Sequence, residues 1–234
     1  MSDMTFLDSA IPLIQVHLDE LWRACEQPHA LYARGSAILP TGQLVYQPWD
    51  MDFVLFVSAN EALAAHMGVV TMTKIRESAS NLPPPDISIV RYNRTSPETL
   101  YALLLISECG RLIFGEDCRL PVTLFPKHHH AIGQHVLKVC KARYISFEQC
   151  SDPVEQQKRA PHLAKSVLRL GGLLRLQEGR FTRKPKECAT FLNNVYPLVE
   201  ESSTTLLQSL ETPIEPKVLA NACHRILLVL TGNL

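Results

Sequence analysis

Apolar positions at Phe6, Ile11, Ile14, Val16, Leu18 and Leu21–Trp22 recur at a helical spacing, which predicts a helix over 6–26. The segment 31–39 (LYARGSAIL) has the composition of a strand, interrupted by Gly35-Ser36, and Pro40-Thr41-Gly42 supplies a turn to end it. Residues 49–58 predict a strand in which the unbroken aromatic and branched run from 53 to 57 buries both faces. Residues 60–79, rich in Ala, Met and charge, predict a helix, and after Pro83-Pro84-Pro85 the segment 86–92 (DISIVRY) predicts another strand. Ser96-Pro97-Glu98 is a helix start, with Ser at the cap and Pro at the first helical position. Beyond residue 127 the pattern is helical throughout, in segments 127–143, 153–178, 184–195, 198–210 and 215–230. The expected fold class is therefore α+β over residues 1–120, followed by an α-helical region over 121–234, with the boundary between Leu120 and Pro126.

Composition changes this picture in one respect. The chain is 46% hydrophobic and formally neutral, so it has ample material for a core and no bulk charge to hold nucleic acid or an anionic membrane. Yet residues 1–120 carry 8 basic and 14 acidic side chains, and residues 121–234 carry 15 basic and 9 acidic. Such opposed halves point to two regions with different work, facing each other or a ligand. The seven cysteines are odd in number and widely spaced, with no CxxC pair, which reads as free thiols in a reducing cytoplasm. The first residues carry neither a basic region nor a long apolar one, so no secretory signal is expected. The apolar runs Leu100–Ile106 and Ile226–Leu230 are too short for a membrane span.

The chemistry concentrates in the first half. Asp50 and Asp52 enter the most apolar strand two residues apart, so in extended chain both carboxylates project from one face. Side by side they repel unless a cation lies between them. Asp86, opening the next strand, adds a third carboxylate, and three hard oxygen donors suit Mg²⁺ and its phosphate partners. Two such ions can activate an attacking hydroxyl and neutralise a leaving pyrophosphate. Gly35 lets backbone approach phosphates closely, and the Ser36 hydroxyl and amide can hydrogen-bond to them.

Gly35-Ser36, Asp50-x-Asp52 and the strand-borne Asp86, in that order, resemble the DNA polymerase β-type nucleotidyltransferases. Within that superfamily the chain looks most like the bacterial aminoglycoside adenylyltransferases. Leu112–Asp117 resembles the stretch that closes their catalytic domain, and 165–187 resembles an element of their C-terminal helical domain. The resemblance implies a catalytic domain with a mixed β-sheet followed by a helical bundle that helps to bind substrate and nucleotide. It implies two Mg²⁺ ions on Asp50, Asp52 and Asp86, with ATP or another NTP held by Gly35 and Ser36. Nucleoside monophosphate, AMP by expectation, would pass to a hydroxyl of a small molecule such as an aminoglycoside, giving an antibiotic-resistance activity. A protein or RNA acceptor, or an antitoxin-type or regulatory module acting through a partner, is the alternative. Two departures from the pattern leave the acceptor open: the 13 residues between Ser36 and Asp50 form a longer connection than is usual, and Trp49 precedes the first Asp.

Other charged positions have two readings each. Lys165 and Arg169, four apart on a helix, share a face that either reaches the triphosphate or is simply solvated. Arg180, Arg183, Lys184 and Lys186 read first as solvated loop charge and second as a group that recognises an anionic substrate or RNA. His128-His129-His130 with His135 and Cys140 match no standard zinc spacing and read as a polar helix start. Glu108, Glu116 and Asp117 could receive a cationic acceptor, and Glu116 and Asp117 could equally cap a turn.

Overall fold

The computed structural model describes residues 6–35 and 51–231, which form two compact units, Met1–Leu120 and Pro121–Leu234. In the first, helix α1 (Phe6–Ala24) precedes strand β1 (Pro28–Arg34), then β2 (Met51–Val57), α2 (Glu61–Ser78), β3 (Pro85–Arg91), α3 (Pro97–Cys109) and β4 (Gly110–Gly115). The strands form one sheet in the order β3-β2-β1-β4. β1 is antiparallel to both β2 and β4, whereas β2 and β3 are parallel and joined through α2. The sheet is thus mixed.

Alternation along β2 explains its burial on both faces. Met51, Phe53, Leu55 and Val57 enter one core with Leu7, Ile14, Leu18 and Leu21 of α1 and Ala64 and Ile75 of α2. Asp52, Val54 and Phe56 face the other side, where Phe56 meets the Tyr32 ring edge-on at 6.2 Å. Helix α3 packs against β1, β3 and β4. It begins as its sequence predicts, Ser96 accepting the Thr99 N–H at 3.1 Å with Pro97 in the first turn.

The second unit is helical: α4 (His129–Glu148), α5 (Pro153–Leu168), α6 (Leu170–Leu173), α7 (Pro185–Val195), α8 (Glu200–Gln208) and α9 (Pro216–Leu230). Helix α5 lies among α4, α7, α8 and α9, and buries Leu163, Ala164, Val167 and Leu168. No helix among the described residues is long and apolar enough to cross a membrane.

The structure corrects the sequence reading in three places. The first strand occupies Pro28–Arg34, starting earlier than 31; residues 36–39 of the expected strand and the turn at Pro40-Thr41-Gly42 lie outside the described residues. The helix expected over 153–178 breaks into α5, the short α6 and a 3-10 turn at Leu176–Glu178. Within α6 the packing is close: a Cβ on Gly171 would collide with the Cys188 carbonyl, and one on Gly172 with that of Thr182. The third correction is β4, a strand that the pattern did not predict.

Candidate active site

Register assembles the site. In the parallel pair, Asp52 of β2 lies directly beside Asp86 of β3; in the antiparallel pair, Asp52 lies opposite Arg34 of β1. Arg34 in turn opposes Gly110 of β4. One row across the sheet therefore reads Asp86, Asp52, Arg34, Gly110, with its side chains on the face opposite the α1–α2 core. Neighbouring strands lie ~4.8 Å apart, so the two carboxylates start from adjacent positions on one face. Asp52 is half-buried and Asp86 exposed.

Gly35 ends β1 beside this row. Its φ is +80°, and a Cβ built on it would lie 3.0 Å from Oδ2 of Asp52. Glycine is required here twice over, for a left-handed backbone and for room next to a carboxylate. Ser36 and Asp50 lie outside the described residues.

The donor set fits a hard divalent cation in part. Asp52 and Asp86 offer carboxylate oxygens from one row, and Gly35, lacking a Cβ, lies close to Asp52. Among the described residues no group of three or more His, Cys, Asp and Glu side chains could hold a metal. A three-carboxylate set needs Asp50, as the sequence reading already holds.

Lys165 and Arg169 are both half-buried at the C-terminal end of α5 in the second unit. Beside them Arg143 donates to Ser166 Oγ at 2.6 Å. Lys184 pairs with Glu187 at 3.0 Å, and Lys186 lies 3.9 Å from Glu211. His128 ends a 3-10 turn and His129 opens α4, its Nδ1 2.8 Å from the Pro126 carbonyl.

Glu108, Glu116 and Asp117 are all exposed, and Asp117 is held by contacts within its own unit. Arg119 donates to it from Nε at 3.0 Å and from its backbone N–H at 3.1 Å. The buried Tyr32 hydroxyl also donates to Asp117, at 2.9 Å, and accepts the Cys118 N–H at 2.7 Å. Arg119, more than Tyr32, holds the Asp117 carboxyl well below the usual carboxylate range. Burial above all pushes the Tyr32 phenol up, and the hydroxyl's donation to Asp117 adds to it. Of the two readings for Asp117, fastening a turn is the one its contacts express.

Sequence reasoning missed Arg34. The only signal was its place immediately before Gly35, and its position opposite Asp52 needs the strand register to be seen.

No protein-family model matches the chain, and no curated protein matches it. Among solved structures, it is similar to the crystal structure of the spectinomycin adenyltransferase of Enterococcus faecalis with ATP and spectinomycin. The identity is 12% and the TM-score 0.62, over 95% of this chain and 98% of that one. The two proteins share a fold: an α+β region with a mixed sheet followed by a C-terminal helical region.

Proposed function

We propose that the chain is a nucleotidyltransferase that moves AMP from ATP to a hydroxyl of a small molecule such as an aminoglycoside, releasing pyrophosphate. The observation that carries the reading is the row in which Asp52 and Asp86 stand side by side, with Gly35 in contact range of Asp52. Fold likeness alone would not carry it, because one fold hosts many activities.

On this reading Asp52, Asp86 and Asp50 hold Mg²⁺, which when bound supplies charge neutralisation for the triphosphate. Gly35, whose main chain carries no Cβ, and Ser36 are assigned to receive the phosphates. Asp86, the more exposed carboxylate, either completes the metal site or takes the proton of the attacking hydroxyl as it meets the α-phosphorus in line. Lys165 and Arg169 are assigned to the triphosphate, giving the second unit a nucleotide- and substrate-binding role. The first unit is the catalytic domain. Most of the acceleration comes from positioning and charge compensation.

The experiment is label transfer from α-labelled NTPs with Mg²⁺ to a panel of aminoglycosides, with cell protein and RNA as further acceptors. Transfer to an aminoglycoside is expected, and Asp52→Asn should lower it by ~10²-fold or more, the scale of a lost charge-stabilising interaction. Label on protein or RNA would move the acceptor to the alternative class. A chain that neither transfers label nor binds NTP overturns the reading.

A further inference from the structure

A guanidinium stands in the same row as the carboxylates. Arg34 leaves β1 opposite Asp52, and its Nη2 lies 3.5 Å from Ser88 Oγ, at the long limit of a hydrogen bond. Ser88 is on β3, two residues beyond Asp86, so both project from the same face. To reach it the side chain crosses β2, a span of ~9–10 Å at two strand spacings. The β2 residue in line with Ser88 is Val54, 2% exposed, so the floor beneath this crossing is apolar. Nε of Arg34 is buried and has no hydrogen-bond partner among the described residues.

An arginine stays protonated at every relevant pH, and a buried donor of a charged group is costly to leave unsatisfied. Here the arginine occupies the strand position opposite Asp52, in one row with Asp86 and immediately before Gly35. We infer that Arg34 is a built-in cation of the active site, binding the phosphates of the nucleotide and holding divalent cations off the carboxylate row until the nucleotide arrives. The inference rests on the nucleotidyltransferase reading and deepens it: the site carries a permanent positive charge of its own, facing an anionic ligand.

Two ligands of opposite sign test this. The affinity for Mn²⁺ without nucleotide and the affinity for ATP in excess chelator are measured by calorimetry on the full chain and its Arg34→Gln and Arg34→Met variants. Removing the positive charge should tighten Mn²⁺ binding by about tenfold or more and weaken metal-free ATP binding by a similar factor. Arg34→Lys, which keeps the charge, should hold Mn²⁺ affinity within about threefold of the parent. A purely structural role would weaken both ligands together, and that outcome overturns the inference, as does no change in either. Thermal unfolding of each variant shows which of them fold, and a folded Gln or Met variant suffices. If the parent transfers label while Arg34→Gln leaves both affinities unchanged, only the role of Arg34 fails. If the parent and both neutral variants bind neither Mn²⁺ nor ATP, the nucleotidyltransferase reading fails with it.

Discussion

Tyr32 shows how much a single hydroxyl can hold. Its ring is fully buried, and its oxygen satisfies the buried Cys118 N–H while donating to Asp117. Tyr32→Phe should cost ~1–3 kcal/mol in urea unfolding, because the Cys118 amide loses its acceptor without gaining water. Asp117 adds an acid limb to stability. Its folded pKa is depressed, so its contribution is present above the ordinary carboxylate value of about 3.9 and is lost as pH falls toward the folded value. Because the Arg119 and Asp117 side chains are 46% and 44% exposed, solvent screening keeps this below ~1 kcal/mol. Asp117→Asn should therefore flatten the fall in urea midpoint between neutral pH and about pH 3. Gly35 is sensitive in another way. Gly35→Ala combines a left-handed backbone, ~1–2 kcal/mol for a residue with a Cβ, with a methyl 3.0 Å from Asp52 Oδ2. Label transfer should fall further than that stability loss accounts for, since the methyl also displaces a carboxylate.

At the scale of elements, legibility followed local signals. β2 was readable because its apolar run is unbroken, and α3 because Ser96-Pro97 starts a helix whatever surrounds it. β4 was not, because its residues are only half-buried at a sheet edge and Leu112-Ile113-Phe114 is too short to show a period. The break after α5 was also hidden. Just beyond it Gly171 and Gly172 pack against Cys188 and Thr182, contacts that no periodicity along the chain reveals. Gly172→Ala should accordingly destabilise by ~1–3 kcal/mol or more, the cost of overpacking against a backbone carbonyl that has little room to move. An unshifted melting temperature for that variant would mean that the two segments lie further apart than described.

For the whole molecule, the carboxylates of the proposed site were legible as residue types in order, and the register between them was not. Asp52 and Asp86 could be nominated from chemistry, but their pairing is a fact of parallel register, and Arg34 joins them only through antiparallel register on the other side. The opposed charges of the halves were visible at once, since they need only counting. Thiol chemistry offers a test of the global packing. Burial pushes the Cys140 and Cys223 thiols up to about 12, so they are protonated at ordinary pH. Alkylation at pH 8 should label Cys109 and Cys150, which are partly exposed, well before Cys140 and Cys223, which should react only as the chain unfolds. Mass spectrometry of timed samples reads the order.

The parallel pairing of β2 with β3 has a temporal consequence as well. Asp52 and Asp86 are remote in sequence and meet only once α2 has returned the chain to the sheet. During synthesis or refolding, the carboxylate pair is absent until that crossover closes, and non-local parallel pairing is among the slower events in folding. A probe that senses the two carboxylates together is therefore a clock for closure of the crossover, separate from probes of helix formation.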